Sequence, residues 1–310
     1  MLKPFLTYDK QIEKLVNEKG LIINDIEDAK KKLIDIGYFS LIGGYKAPFK
    51  DAKTHKYIDT EFNDIYTLYE FDRNFKELVF KYICEIELKI RQLISYSFCD
   101  IYGEKQSEYL NINNYSSNAP KRKLKTLIDI LDGFANKNTD HEYLIHHRKV
   151  YHNVPLWIIM NALTIGQTSK LYSFSKPQVQ TKISKMYAGT NEGELDKYLM
   201  LITLYRNVCA HNERLYCYRP HDTLNDTIIL TKMNIEKDIN SQYIYGKNDI
   251  FGLIIIFKYL LQSESFKYFI DSLKKLISAY QCKSKRIPEK ELYSIMGLPD
   301  NWYDILKVNI

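Results

Sequence analysis

Arg206, Asn207 and His211 are polar side chains at the end of an otherwise apolar stretch. From Tyr198 to Ala210, twelve of thirteen residues are uncharged, and Arg206 is the sole charge. Apolar residues would fall on almost every side of a helix here, which predicts burial on most faces. A guanidinium in that setting is costly unless it is paired. The three residue types suit RNA cleavage without a metal. A histidine, which ordinarily titrates near neutrality, can take the proton of a 2′-hydroxyl or give one to the leaving oxygen. An arginine can grip the phosphate and stabilise charge growing on it. Asn207 can orient either group by hydrogen bonding. The attacking group would be the substrate's own 2′-hydroxyl, so the products would carry a 2′,3′-cyclic phosphate and a 5′-hydroxyl, and DNA would be spared. Spacing alone favours a structural ion pair between Arg206 and a carboxylate over catalysis.

Helix geometry constrains how these groups meet. At about 100° per residue, Asn207 and His211 share a face, and Arg214 joins it if the helix continues. Arg206 and His211 stand about 140° apart. Either the helix ends near His211, or two copies of the motif meet across a two-fold axis and build one groove.

The elements that position the motif are predicted to be helices. Gly (12) and Pro (8) are scarce in 310 residues, while Leu, Ile, Lys and Glu abound. Two short helices are expected over 7–19 and 25–36, with Asn24 as a cap and Gly37 as a stop. Residues 38–60 read as irregular. The strongest signal runs from about Glu61 to Phe98, capped by Thr60, with apolar residues at three-and-four spacing. Residues 103–119 read as a loop, followed by a basic helix from Pro120 to about Phe134, a polar gap at Asn136–Asp140 and a histidine-rich helix at 141–151. Pro155 opens an apolar helix from Leu156 to Ile165 that Gly166 interrupts. A helix is expected over 178–188, a turn at Gly189–Gly193, and the motif helix from about Glu194. Residues 217–246 read as a long connection with one short strand at Thr227–Leu230. Helices near 249–262, 264–281 and 288–296 complete the chain, which reads as one compact unit with appendages.

Composition narrows the function classes. Hydrophobic residues are 45% and charged residues 26%, ordinary values for a globular protein. The net charge of +6 permits an RNA partner without requiring one. The cysteines Cys84, Cys99, Cys209, Cys217 and Cys282 are odd in number and form no CxxC pair. A disulfide framework or a zinc ribbon is therefore not expected, and free thiols point to a reducing, cytoplasmic setting. Met1–Lys10 lacks the features of a signal peptide, and no apolar run reaches the length of a membrane span.

Other candidates have bland alternatives. Glu87 and Arg91 read either as support for the Arg206–His211 geometry or as an ordinary surface i,i+4 ion pair. Asp72 and Arg73 read the same way. Lys121, Arg122, Lys123 and Lys125 form the densest basic cluster, suited to RNA backbone or to a solvated helix start. Arg148 sits among His141, His146, His147 and His152 on a segment that reads as solvated or RNA-facing, with no residue set for zinc. Trp157 and Trp302 read as core residues.

Residues Leu204–Tyr216, "LYRNVCAHNERLY", resemble the signature of the AbiD/AbiF-like abortive-infection proteins of bacterial phage defence. Leu21–Tyr45, Leu68–Ile94, Val154–Tyr172 and Ile295–Leu306 resemble further stretches of that family, in the same order. The family is assigned to the HEPN superfamily. The resemblance implies an all-α, HEPN-like helical bundle that dimerises. Residues 59–216 would form the core, with an insertion around 103–150 and helical additions at 1–58 and 217–310. It also implies metal-independent endoribonuclease activity with no cofactor, carried by Arg206, Asn207 and His211 and supported by Glu87, Arg91 and Arg214. Asn212 stands where many relatives carry a second histidine. Relatives suggest three settings: a ribonuclease, a non-catalytic RNA-binding member held with a small non-coding RNA, and a toxin silenced by a nucleotidyltransferase partner.

Overall fold

The computed structural model describes residues 4–137, 139–284 and 286–310. Met1–Lys3 and Asn138, which enter the expectations for the N-terminus and the polar gap, lie outside them. The chain is all-α. Among the described residues, strand-like pairing is confined to isolated bridges. The helices are α1 (Tyr8–Glu13), α2 (Ile26–Ile36), α3 (Phe62–Tyr102), α4 (Gln106–Leu110), α5 (Lys121–Asn136), α6 (Glu142–Tyr151) and α7 (Leu156–Ile159). They continue as α8 (Ile165–Phe174), α9 (Pro177–Ser184), α10 (Glu192–Ala210), α11 (Ile228–Lys232), α12 (Ile250–Leu260), α13 (Ser263–Lys283) and α14 (Glu289–Met296).

The spine is α3, at 41 residues about 60 Å long. Its periodic apolar residues, among them Ile65, Leu68, Val79, Ile83, Ile86, Ile90 and Ile94, are buried. The helix opens one residue later than expected. Glu61 is the cap, with its own N–H donating to the Asp64 carboxylate at 2.9 Å. Thr60 is buried and its hydroxyl donates to the Ile58 carbonyl. Gly103, with φ +94, ends the helix.

Helices α7, α8, α9, α10 and α13 pack along α3. Phe71 meets Tyr280, and Tyr82 meets Phe269. Helix α12 is apolar all round, with Ile250–Phe257 buried throughout, as a helix enclosed on every side must be. The N-terminal segment, residues 4–58, is strapped to the start of α3, where Ile22 exchanges backbone hydrogen bonds with Thr60 and Phe62.

Five local expectations are corrected. Residues 103–119 are not a loop throughout, because α4 and a 3-10 turn at Ile112–Asn114 lie within them. The cap of α2 is Asp25, which accepts from Asp28 N, rather than Asn24. Residues 227–230 are not a strand: Thr227 precedes the helical turn α11. The helix expected over 156–165 is the short α7, and Gly166 lies inside α8. Thr164 and Gln167 form a capping box that starts α8. Gly166 faces α10, where an added Cβ would lie 3.4 Å from Thr203 Cγ2. Finally, Trp302 is buried but Trp157 is 42% exposed, so Trp157 is not a core residue.

Candidate functional site

The motif helix α10 opens with a capping box between Asn191 and Glu194. It buries Leu195, Tyr198, Leu199, Leu201, Ile202, Tyr205 and Val208. The Tyr205 hydroxyl donates to the backbone carbonyl of Asp249 at 2.7 Å, which locks α10 to the start of α12.

The helix ends at Ala210. His211 has left helical geometry, with φ −93 and ψ 12, and its N–H donates to the Asn207 carbonyl at 2.9 Å. Asn212 adopts φ +53, and the Glu213 N–H returns to the Val208 carbonyl at 3.0 Å. This is a Schellman ending in which asparagine occupies the left-handed position usually held by glycine. The chain turns away at His211, so Arg214 does not share the His211 face of a continued helix. Its guanidinium reaches the Gly44 carbonyl instead, at 3.2 Å.

None of the three motif side chains makes a hydrogen bond or an ion pair among the described residues. Asn207 and His211 are exposed. Arg206 is half-buried, its guanidinium carbon lies 5.9 Å from the Phe80 ring centroid, and its Nε is enclosed without a partner. The other half-buried arginines are Arg91 and Arg148. Their Nε atoms are enclosed without a partner too, but each is tied down through a terminal nitrogen, Arg91 to Glu87 and the Leu163 carbonyl and Arg148 to the Phe134 carbonyl. The structural ion pair weighed for Arg206 is therefore absent among the described residues.

The segment after the motif is held by one buried carboxylate. Asp72 is 0% exposed and accepts from the Tyr45 hydroxyl at 2.6 Å, from Tyr216 N at 2.7 Å and from Leu215 N at 3.2 Å. The Lys76 ammonium stands 3.7 Å away. Burial pushes the Asp72 carboxyl up, and the Tyr45 hydroxyl, Lys76 and the two amides pull it back. Tyr45 stacks on Tyr216 at 5.7 Å, adding an aromatic contact to the same junction. Lys76 is 5% exposed and donates to Asn212 Oδ1 at 2.5 Å. The reading of Asp72 and Arg73 as a surface pair is thus overturned: Arg73 pairs with Glu70, and Asp72 organises the core. Sequence reasoning misses Tyr45 and Lys76. The one signal for them is that Asp72 and Lys76 continue the apolar register of α3 four residues apart.

Glu87 and Arg91 do form an i,i+4 pair. Their side chains are only 11% and 22% exposed, so it is not an ordinary surface pair. By binding the Leu163 carbonyl, Arg91 pins the turn between α7 and α8 to α3. Burial pushes the Cys84 thiol up, with Glu87 acting in the same direction and Arg206 and Arg91 against it. Cys209, within the motif, is pushed up to about 12 by burial and stays a neutral thiol near neutrality.

The basic cluster lies at the start of α5. Lys121, Arg122, Lys123 and Lys125 are exposed and have no acidic partner among the described residues. Helix α5 packs mainly on α4, α6, α7 and α8, with α8 in turn against α10. His146, His147 and Tyr151 form a small ring cluster on α6. Among the described residues, no three His, Cys, Asp or Glu side chains are arranged to hold a metal, and no helix is long and apolar enough to cross a membrane. The cysteines are unpaired.

Residues 31–217 match the model of the Abi-like protein family. The chain belongs to that family. The Abi-like span contains Tyr45, Asp72, Lys76 and the whole motif from Arg206 to Asn212. No curated protein and no solved structure matches the chain.

Proposed function

We propose that this Abi-like protein is a HEPN-type endoribonuclease of the AbiD/AbiF kind, acting in abortive-infection defence against phage. Membership of the Abi-like family supports the defence role. The observation that carries the activity is the uncommitted state of Arg206, Asn207 and His211 at the exposed end of a buried helix. Leaving a half-buried guanidinium without a partner costs stability, and a phosphate ligand offsets that cost. In this reading Arg206 holds the scissile phosphate, and Asn207 orients a phosphate oxygen or the attacking hydroxyl. His211 moves the proton between the 2′-hydroxyl and the leaving 5′-oxygen. No metal is required for these steps. Two chains, paired across a two-fold axis, would bring two motifs to one groove, and the chain would work in the cytoplasm.

The test is incubation of purified protein and its His211→Ala variant with structured and single-stranded RNA in EDTA, with analysis of the new ends. Cleavage by wild type alone, leaving 2′,3′-cyclic phosphate, is the expected result. A second reading, an RNA-binding member held with a small non-coding RNA, draws on the unpaired basic start of α5. It predicts RNA affinity without cleavage, unchanged by His211→Ala. A silencing nucleotidyltransferase would instead be revealed by a modified residue on protein purified with that partner.

A further inference from the structure

We propose that Lys76 is a positioning residue for His211, acting through Asn212. The inference rests on the reading of His211 as the proton-transfer group. Two locally unfavourable choices meet at one hydrogen bond. The first is a lysine buried in the spine of the fold. Lysine is almost never so enclosed unless paired, and an apolar residue of similar volume is often at least as stable. Asp72 alone does not account for it, because that carboxylate already accepts from Tyr45 and two backbone amides. The nearest partner of the ammonium is Asn212 Oδ1 at 2.5 Å, against 3.7 Å to Asp72.

The second choice is a side chain at φ +53. Glycine would adopt this conformation at less cost, and asparagine is among the few others that tolerate it. What asparagine has and glycine lacks is the acceptor that Lys76 uses.

The consequence falls on the neighbouring residue. His211 lies between the last helical residue and the left-handed one, so the turn sets the direction in which its Cα–Cβ bond leaves the backbone. Helix ends fray when their terminal groups are not held. Here the turn is tied from both sides, by Asp72 through the Leu215 and Tyr216 amides and by Lys76 through Asn212. The Lys76 anchor acts on the residue next to His211, the Asp72 anchor four and five residues beyond it. An error of about 1 Å in placing a catalytic group can cost about a hundredfold in rate.

The test uses the full chain and separates backbone conformation from anchoring. Asn212→Gly keeps the turn accessible and removes the acceptor. Asn212→Asp keeps an acceptor. Lys76→Met removes the donor at similar volume. Cleavage kinetics, thermal unfolding and the NMR signals of the His211 ring are recorded for each. We expect Asn212→Gly to keep a near-normal Tm while kcat falls about tenfold to a hundredfold with KM nearly constant. Its His211 signals should shift or broaden. Asn212→Asp should recover most of the rate, and Lys76→Met combined with Asn212→Gly should be no worse than the poorer single variant. Wild-type kcat and unchanged His211 signals in Asn212→Gly would overturn the proposal, even if Lys76→Met fails to fold. If the wild type cleaves no RNA, the ribonuclease reading fails by itself. The ring signals of wild type and Asn212→Gly then decide the positioning role: a change supports it, and identity overturns it.

Discussion

Tyr45 donates its hydroxyl to the carboxylate of Asp72 at 2.6 Å, across 27 residues of sequence and in the buried core. The same carboxylate caps the amides of Leu215 and Tyr216, just beyond the motif. The N-terminal segment is thereby part of the support of the candidate site. Tyr45→Phe leaves a buried acceptor short of one donor and should lower stability by about 1–3 kcal/mol. Asp72→Ala also leaves the buried Lys76 ammonium without its countercharge and should lower it by about 3–5 kcal/mol. Urea unfolding of the two variants checks both the order and the size.

Arg206 should behave in the opposite way. Its Nε is enclosed without a partner, so replacing it removes an unfavourable group. Arg206→Met is expected to unfold at the wild-type temperature or slightly above it, while cleavage falls by about a hundredfold to a thousandfold. His211→Ala, an exposed change, should leave Tm unaltered and reduce cleavage by about 10²–10⁴-fold. A large drop in the stability of Arg206→Met would show that this side chain is structural.

Asp249 provides a pH signature. Burial pushes its carboxyl up to about 6, against the donors Gly252 N and Gly246 N and the nearby Arg219. The unfolded chain titrates at about 3.9. Between these values the folded state binds more protons than the unfolded one, so this group's contribution is full below about pH 4 and is lost as pH rises through 6. Asp249→Asn lacks that titration. The stability of the variant minus that of wild type should therefore rise from pH 4 to about 6 and level off above. A difference that stays flat across the window, measured by thermal unfolding at matched ionic strength, would contradict the assignment.

The two classes of basic residue on the inserted region should separate cleanly. Replacing Lys121, Arg122, Lys123 and Lys125 with Gln removes exposed, unpaired charges and should leave Tm unchanged. If the cluster holds RNA backbone, binding weakens and the slope of log K against log salt falls by about one for each phosphate that is no longer neutralised. Arg148→Ala instead removes the donor to the Phe134 carbonyl and should lower Tm. Binding isotherms at several salt concentrations, with unfolding curves, distinguish the two.

Much of the fold was legible locally. The spacing of Ile83, Ile86, Ile90 and Ile94 marks the spine because helical periodicity is a property of neighbouring residues. Pro120, Gly37 and the apolar run before Arg206 likewise mark helix ends and the motif through short-range chemistry. The capping box from Thr164 to Gln167 was equally local, and Gly166 masked it, because a glycine that breaks a helix and one tolerated in its first turn look alike in sequence.

Burial, by contrast, is decided by segments far apart in the chain. Asp72 and Arg73 are adjacent charges, yet one is enclosed by Tyr45, Leu215 and Tyr216 while the other faces solvent. Trp157 and Trp302 are the same residue type, and only the second is covered. The sequence by itself determined which residues could do chemistry and the helix that carries them. Tertiary structure alone decided that Arg206 is left unpaired and that Lys76 reaches Asn212, because a polar side chain's partners are set by packing between distant segments.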